Sequence, residues 1–370
     1  MQRLSLFLHA LTTSRSNLFV QCEASAFTST SLPKIATQQP SSKSKMIPSK
    51  GNASENSIIE NEPPSREALL AKSWTTVASA YEKAFVPRFA PWTHNALDAL
   101  SSLWSDESSS SKCRNEEVQQ KALVLCCGPG QELVPIAKIL GPNVNILGVD
   151  LAPGMVEVAQ RRIEENMISP QQISVQVGDA KTPPPGPYRV LFSAFGLQQL
   201  SQPLDAVREW IQVLEPEGGI GVILYWPPDP PKIDESSNIF DLWGDLVQAK
   251  LRNNGNNEIA AASSNDDDDV APWDQMIAQV VKESGADILQ DEYVAHSIEF
   301  DNAKDLFDRM SRAGPWHALR LRRGDDFVDE LGAELQAAYP NNKHLTLQTY
   351  ARMLVIFRRE ENDEKDLSKL

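Results

Sequence analysis

The segment with the clearest chemical potential is ALVLCCGPGQELVPIAKIL, at residues 122–140. An apolar run leads into two cysteines and a Gly-Pro-Gly turn, and an amphipathic stretch follows. This order predicts a buried strand, a tight turn and a helix, which is how α/β proteins build a nucleotide cradle. Gly128 and Gly130 would let the backbone approach a ligand closely, and Pro129 would stiffen the turn between them.

The glycine spacing excludes two common phosphate-binding motifs. A dinucleotide fingerprint, G-x-G-x-x-G, needs a third glycine at the position that Leu133 occupies. The sequence also lacks a G-x-x-x-x-G-K-[ST] segment, so a P-loop is excluded. The turn therefore indicates a site for a nucleoside rather than for a pyrophosphate.

Two acidic residues end the next predicted strands. NILGVD ends on Asp150, and VQVGDA places Asp179 at the end of the following strand. Because the carboxyl ends of parallel strands share one edge of a sheet, both should lie beside the glycine turn. Asp150 could accept hydrogen bonds from both ribose hydroxyls, each worth about 1.5–3 kcal/mol. Asp179 could accept the exocyclic amine of adenine, and the N–H of Ala180 could reach a ring nitrogen.

The elements that must position these residues alternate between strand and helix. Short apolar strands separated by helices predict a mostly parallel, doubly wound sheet with helices on both faces. Two late strands complete a seven-stranded α/β sheet whose last strand is antiparallel. The predicted strands are 122–127, 145–150, 173–178, 188–195, 219–226, 293–300 and 351–359. Helices are predicted between them at 132–140, 153–167 and 203–214.

Periodicity and composition divide the rest of the chain into a helical lid, a linker, a main domain and disordered segments. Helical periodicity at residues 63–104 predicts an N-terminal helical lid, with breaks near Pro87 and Pro91. PPDPP, after the fifth strand, ends that strand and begins a helical insert. The remaining predicted segments are a linker at 105–117, the main domain at 118–359, a disordered acidic loop at about 252–270 and a disordered tail at 360–370.

Residues 1–62 are predicted to be a disordered address segment. Residues 1–50 are rich in Ser and Thr and contain six basic residues against one acid, Glu23. This composition is typical of transit peptides and favours import into the mitochondrial matrix. ASAF, at residues 24–27, resembles the cleavage motif of bipartite plastid presequences, so plastid import stays open. A start at Met46 would instead leave a cytoplasmic protein.

Charge and cysteine content exclude several classes of function. The net charge is −15, and the sequence has no cluster of basic residues with aromatic residues between them. Both observations argue against nucleic acid as a partner. The four cysteines, Cys22, Cys113, Cys126 and Cys127, form no C-x-x-C pair, so neither a disulfide framework nor a metal site is expected. The sequence contains no run of eighteen apolar residues, so no transmembrane helix is predicted.

Residues 122–226 resemble class I S-adenosylmethionine-dependent methyltransferases of the methyltransferase type 11-like kind. YRVLFSAFGLQQL is similar to that family's fourth strand and following loop, and VLEPEGGIGVILYW to its Leu-x-Pro-x-Gly-Gly turn and fifth strand. SAFGLQQL and WTTVASAYEKAF also resemble the ubiquinone and menaquinone C-methyltransferase group. The resemblance implies a Rossmann-like fold and S-adenosylmethionine as cofactor. The implied cofactor-binding residues are Cys126, Gly128, Gly130, Glu132, Asp150, Leu151, Asp179, Ala180, Ser193 and Ala194.

The sequence departs from the family pattern at the start of the glycine loop. Where the family has an acid followed by x-Gly-x-Gly-x-Gly, this chain has Val124 and then Cys126 at the first glycine position. The family's acid helps to orient the methionine amino group of the cofactor. Glu132 could partly replace it, or could simply stabilise a helix N-terminus, which is worth about 0.3–1 kcal/mol.

Methyl transfer needs alignment in a dry pocket more than it needs a catalytic dyad. Tyr81 is a candidate lid residue facing the sulfonium, and His317, in AGPWHALR, is a candidate general base. The absence of [DN]-P-P-[YF] after the fourth strand argues against adenine or glutamine methylation. A small-molecule acceptor of lipid-like or quinone-like kind fits better, with an apolar cover from Trp243, Trp273 and Trp316. A methyltransferase-like assembly factor of an organelle is the alternative, favoured by Val124 and Cys126.

Overall fold

The computed structural model describes residues 65–110, 119–228, 246, 249–250, 272–338 and 344–359. The predicted address segment at 1–62, the acidic loop at 252–270 and the tail at 360–370 lie outside these residues. So do Trp243 and most of the predicted linker.

One seven-stranded sheet organises the described part of the chain, in the order β3-β2-β1-β4-β5-β7-β6. The first five strands pair in parallel, and β7 lies antiparallel between β5 and β6. The predicted doubly wound seven-stranded sheet with an antiparallel last strand is therefore confirmed. The strands are β1 (Gln120–Leu125), β2 (Val144–Asp150), β3 (Ile173–Val177), β4 (Val190–Ala194), β5 (Ile220–Tyr225), β6 (Ala286–Phe300) and β7 (Leu345–Arg358).

Strand β6 begins at Ala286, earlier than the predicted start at residue 293. It is an edge strand whose first half is largely half-buried or exposed and carries Asp287, Gln290 and Asp291. A register shift between Ile288 and Gln290 also breaks its alternation. Because the sequence signal for a strand depends on regular alternation, this half was missed.

Helices cover both faces of the sheet. The aromatic-rich lid contains α1 (Arg66–Ala84) and α2 (Val86–Ser110), which meet at Phe85. The other α-helices are α3 (Leu133–Leu140), α4 (Pro153–Glu165), α5 (Pro203–Gln212), α6 (Ile277–Glu283), α7 (Ala303–Met310), α8 (Gly314–Arg323) and α9 (Asp325–Ala338). Short 3₁₀ turns occur at Leu197–Gln199 and Trp273–Gln275.

The predicted break at Pro91 is wrong, because α2 continues through it to Ser110, inside the range predicted as a linker. Proline removes one backbone donor from a helix, and tertiary packing can offset that cost. Here the next residue, Trp92, is completely buried, and its indole N–H donates to the carbonyl of Val294 at 2.9 Å. The other predicted break is displaced slightly, from Pro87 to Phe85.

The two faces of the sheet bury separate clusters. Alternate residues of β1 and β4 point to opposite sides, so Val124 joins the cluster that contains α2, whereas Leu123 joins the cluster under α5 and α6. Trp273 packs with that second cluster, with its ring centroid 5.2 Å from that of Tyr225. None of the helices among the described residues is long and apolar enough to cross a membrane.

Candidate functional site

The glycine turn follows β1 directly and reverses the chain in three left-handed steps. Cys126, Gly128 and Gly130 have φ angles of 52°, 50° and 73°. The N–H of Cys127 donates to the carbonyl of Val149 at 3.0 Å, which ties the turn to β2. The N–H of Gly130 donates back to the carbonyl of Cys127 at 2.9 Å and closes the turn. The backbone is thereby fixed at the carboxyl edge of the sheet.

The two glycines of the turn have different roles. A Cβ on Gly128 would have nothing within 4 Å, because this residue faces open space. A Cβ on Gly130 would lie 2.8 Å from the Cβ of Ala159 on α4 and 3.1 Å from the Cδ1 of Leu133. The open space over Gly128 therefore leaves room for a ligand beside the backbone, and the expected contact stays a prediction. Gly130, which was also expected to let the backbone approach a ligand, instead permits close packing of α4 against the turn.

Asp150 organises the turn and faces the same space. Its Oδ2 accepts the N–H of Gly128 at 2.8 Å, and its Oδ1 accepts the N–H of Ala152 at 2.9 Å. Burial raises the pKa of this carboxyl, and the two backbone N–H groups oppose that shift. Since each carboxylate oxygen has a second lone pair, Asp150 can still accept two hydroxyl groups.

Asp179 lies at the end of β3 and is held in a polar network. Its Oδ1 accepts the N–H of Lys181 at 2.9 Å. The ammonium of Lys181 lies 2.8 Å from Glu67 on the lid helix α1, so the lid contacts this end of the site directly. Ala180 is buried, and its carbonyl accepts the indole N–H of Trp210 at 2.7 Å.

These elements surround one cleft, whose empty space, including the open mouth, is about 1140 Å³. It brings together Tyr81 and six of the predicted cofactor-binding residues, namely Cys126, Gly128, Asp150, Leu151, Asp179 and Ala194. The other four predicted cofactor-binding residues do not line it, namely Gly130, Glu132, Ala180 and Ser193.

One wall of the cleft is aromatic and is formed by Tyr81, Phe85, Phe89, Phe195 and Trp226. Successive ring centroids are 5.5 Å, 5.4 Å, 5.2 Å and 4.6 Å apart, and the last pair is stacked. Sequence reasoning identified only the first of these residues. The missed signal was a spacing of four residues between the aromatic residues of α1 and α2, which places them on one helical face.

The expected tryptophan cover is different from the one observed. Trp273 packs under the other face of the sheet, and Trp316 is buried in the core, so neither lines the cleft. Trp74 of α1 does line it, edge-on to Tyr81 at 5.0 Å. The ring of Trp74 lies where a Cβ on Gly314 would come within 2.2 Å, so α8 can approach α1 only because that residue is glycine.

Cys126 lines the cleft, and its side chain packs against Gly196. A Cβ on Gly196 would come within 2.2 Å of the Cβ of Cys126 and 2.6 Å of its sulfur, so the two residue types depend on each other. Burial, together with the carboxylates of Asp150 and Asp179, raises the pKa of the Cys126 thiol. Burial likewise raises the pKa of Cys127. Both side chains are therefore neutral thiols at physiological pH.

Glu132 is buried beneath the glycine turn and is 2% exposed. Its Oε1 accepts the side-chain amide of Gln131 at 2.6 Å, and it makes no capping hydrogen bond to α3. Burial raises the pKa of its carboxyl to about 7, and burial followed by the charges of Glu132 and Asp150 raises the pKa of Tyr81. Tyr81 therefore keeps its proton.

The raised pKa of Glu132 predicts a pH-dependent contribution to stability. Since the folded chain holds this proton more tightly than the unfolded chain, the contribution is full below about pH 4.5 and is lost as the pH rises through about 7. The unfolding free energy of wild type, relative to Glu132→Gln, should therefore fall between these pH values. Denaturant titrations across this range measure the difference, and a constant difference would contradict a buried, titrating carboxyl.

Arg162 of α4 joins the glycine turn to the lid. Its Nε donates to the carbonyl of Pro129 at 3.1 Å, and a terminal nitrogen donates to Glu82 of α1 at 2.6 Å. Glu82 also pairs with Arg161 at 2.9 Å. At the other end of the same helix contact, the N–H of Gly154 donates to the Thr75 hydroxyl at 3.2 Å. The lid helix is thus fastened to α4 at two places.

Arg162→Gln should loosen both the lid and the turn, whereas Arg161→Gln should loosen only a half-exposed ion pair. We expect the first substitution to weaken cofactor binding by about 1 kcal/mol, the size of a typical hydrogen-bond contribution, and to increase amide exchange in residues 66–84. The second should change the free energy of cofactor binding by less than about 0.5 kcal/mol and should leave amide exchange in residues 66–84 unchanged. Equal effects would contradict a special role for the contact with Pro129.

His317 does not reach the cleft. It lies on α8, outside the residues that line the cleft, and its Nδ1 is buried with no hydrogen-bond partner among the described residues. Burial and then the charge of Arg320 lower the pKa of the ring, so it is neutral at physiological pH. Ala313, from the same sequence motif, does line the cleft.

Part of the chain is similar to known proteins. Residues 122–218 match the family model described as a methyltransferase domain. The chain is 30% identical over 114 residues to the demethylmenaquinone methyltransferase of Lactobacillus johnsonii, covering 30% of this chain and 46% of that protein. It is 32% identical over 106 residues to the Staphylococcus aureus enzyme of the same name, covering 28% and 42%. The match thus spans less than half of these relatives.

Solved structures resemble the chain over a longer range. A SAM-dependent methyltransferase from Aquifex aeolicus gives a TM-score of 0.35 at 14% identity, covering 60% of this chain and 90% of that chain. Phosphoethanolamine N-methyltransferase 2 from Haemonchus contortus, solved with phosphomonomethylethanolamine and S-adenosylhomocysteine, gives a TM-score of 0.44 at 15% identity, covering 80% and 60%.

Proposed function

The chain carries a class I S-adenosylmethionine-dependent methyltransferase domain, and from this premise we propose that it transfers a methyl group to an apolar small molecule. The observation that carries the proposal is the single cleft described above. It joins a nucleoside-type end, at Gly128, Asp150 and Asp179, to an aromatic wall. When bound, S-adenosylmethionine supplies a methyl group that its sulfonium has already activated.

The residues at the polar end fit this cofactor. Open space over Gly128 leaves room for a ligand against the backbone. The carboxylate of Asp150 has free lone pairs for the two ribose hydroxyls, and Asp179 is available to the adenine amine. Gln131 also lines the cleft near the turn, where a side-chain amide can contact the polar methionine end. Glu132 does not take the place of the family's acid at the cleft surface, because it is buried.

The aromatic wall supports a planar or lipid-like acceptor, such as a quinone. Its rings offer apolar faces and edges and exclude water, which suits an acceptor that brings its own nucleophilic atom. Tyr81 contributes a neutral hydroxyl, so it can donate a hydrogen bond that orients an acceptor oxygen. The similarity to demethylmenaquinone methyltransferases supports an acceptor of this kind.

A labelling experiment tests the activity. The full chain is incubated with methyl-labelled S-adenosylmethionine and an organelle extract, and lipid and aqueous fractions are analysed for label. We expect a labelled small molecule in the apolar fraction. Phe89→Ala, which removes a ring at the centre of the wall, should reduce labelling at least about tenfold, since burying an aromatic ring contributes roughly 1.5–3 kcal/mol. Leu289→Ala, at an exposed site, is the control.

The second candidate is an assembly factor of an organelle that keeps the fold without transferring methyl. It is favoured by Val124, which leaves the methionine end without the family's acid, and by Cys126, whose side chain lines the cleft. In the same experiment, a stable protein complex without labelled product would support this candidate. Labelled product in the absence of a complex would exclude it.

We also propose that residues 1–62 direct the protein to the mitochondrial matrix. The basic, Ser- and Thr-rich composition supports import, and the ASAF segment keeps plastid import as the alternative. A fluorescent protein fused after residue 62 tests this directly. Mitochondrial fluorescence agrees with the proposal, plastid fluorescence replaces it with the alternative, and diffuse cytoplasmic fluorescence favours a start at Met46.

A further inference from the structure

A second concavity lies beside the boundary between residues 80–85 of the lid and residues 309–313 at the end of α7, which we call the seam. The concavity is on the outer side of this seam. It is lined by Ser79, Lys83, Arg309 and Arg312, together with two alanines of α1. The space, including its open mouth, is about 640 Å³. Three of the four polar side chains are cationic, the fourth is a hydroxyl, and no carboxylate lines it.

The charge in this concavity is only partly neutralised. Arg309 pairs with Asp305 at 2.7 Å. Lys83 and Arg312 are exposed, and neither has an acidic partner in the part of the chain that the structure describes. Two uncompensated cations facing one space are notable in a chain whose net charge is −15. They create a local positive potential in a protein that otherwise repels anions.

The same seam separates this concavity from the apolar cleft. At the end of α1, Tyr81 and the following Phe85 line the cleft, whereas their neighbours Ala80 and Ala84 line the concavity. At the end of α7 and just beyond it, the cleft is lined by Met310 and Ala313, and the concavity by the arginines that precede each of them. The seam is therefore apolar and aromatic on its inner side and basic on its outer side.

We propose that the Lys83–Arg312 concavity binds a phosphate group and that it receives the head of a phosphate-bearing amphiphile whose apolar part lies toward the cleft. A guanidinium and an ammonium offer charge-assisted hydrogen bonds to phosphate oxygens, and the Ser79 hydroxyl can donate another. The connection to the acceptor rests on the proposed function. The phosphate site itself does not, because it is formed outside the cofactor cleft.

Binding measurements on the full chain without cofactor test the site. Vesicles of phosphatidylcholine, with and without phosphatidylglycerol, and inorganic phosphate are the probes. The double variant Lys83→Gln/Arg312→Gln is compared with Lys138→Gln/Lys282→Gln, which removes the same charge from two other exposed lysines. Because both variants keep residues 1–62, any contribution of that basic segment is held constant.

We expect wild type to bind phosphatidylglycerol vesicles more tightly than neutral vesicles. The seam variant should lose about twenty-five-fold in affinity, from about fivefold for each of its two basic residues at an anionic surface, and the control variant less than about twofold. Binding of inorganic phosphate that only the seam variant loses supports the site with a free phosphate as its source. Vesicle binding without phosphate binding, lost in the same variant, supports a lipid headgroup.

Three results would overturn the inference: binding of neither probe, equal losses in both double variants, or no loss in the seam variant. Failure of methyl transfer is a separate result. If no acceptor is labelled but the seam variant alone loses phosphate or vesicle binding, the proposed activity fails and the phosphate site stands. If labelling succeeds and the seam variant binds like wild type, the phosphate site fails and the proposed activity stands.

Discussion

Asp150→Ala is expected to weaken S-adenosylmethionine binding by about 3 kcal/mol, or roughly a hundredfold, because it removes a charged acceptor from the cleft. The same carboxylate also holds the N–H groups of Gly128 and Ala152, so the glycine turn loses its anchor together with the ligand. Isothermal titration calorimetry with S-adenosylmethionine measures the loss. Asp179→Ala should cost less, since Asp179 holds only one backbone N–H, that of Lys181.

Asp205→Ala is the matched control, since Asp205 is an acid of α5 that does not line the cleft. Its carboxylate pairs with Arg208 at a distance of 2.5 Å. This substitution should leave the affinity unchanged within about 0.5 kcal/mol. Melting temperatures of both variants separate a folding defect from a binding defect. Unchanged calorimetric affinity in a folded Asp150→Ala protein would remove Asp150 from the site.

Gly130→Ala is expected to lower the unfolding free energy by about 2–5 kcal/mol. A left-handed backbone costs an alanine about 1–2 kcal/mol, and overpacking adds about 1–3 kcal/mol. The overpacking arises because the new methyl group would lie 2.8 Å from the Cβ of Ala159 and 3.1 Å from its Cα, which is backbone. Denaturant titration with tryptophan fluorescence measures the change.

Gly128→Ala provides the comparison, because its φ is also positive but its Cβ would meet nothing within 4 Å. It should cost only the backbone strain of about 1–2 kcal/mol, while the new methyl group takes up ligand space and reduces cofactor affinity. Equal stability losses in the two variants would mean that α4 can move away from the turn. The close-packing role of Gly130 would then be wrong.

The sequence alone was sufficient for the fold class and for the polar end of the cleft. Regular apolar strands alternating with helices predicted the doubly wound sheet, which the observed topology confirms. Asp150 and Asp179 could be found because parallel strands bring their carboxyl ends to one edge, whatever the details of packing. The family resemblance, carried by local motifs in the same region, is likewise confirmed.

The acceptor end depended on contacts distant in the chain. Phe89 and Trp226 meet at 5.4 Å although 137 positions separate them, and no local pattern states that they face each other. The same limit applies to the burial of Glu132 and to the position of His317 outside the cleft lining. The edge half of β6 escaped detection because a bulge breaks its alternation.

The glycine turn shows which properties the sequence determines and which only the tertiary structure decides. Its residue types predicted a tight turn at the end of a strand, because an apolar run precedes two glycines and a proline that favour a turn. The tertiary structure alone decided what each glycine is for, since Gly128 faces open space and Gly130 faces Ala159. A residue's conformational freedom is local and is visible in sequence, whereas the atom that would meet its missing side chain comes from elsewhere in the fold.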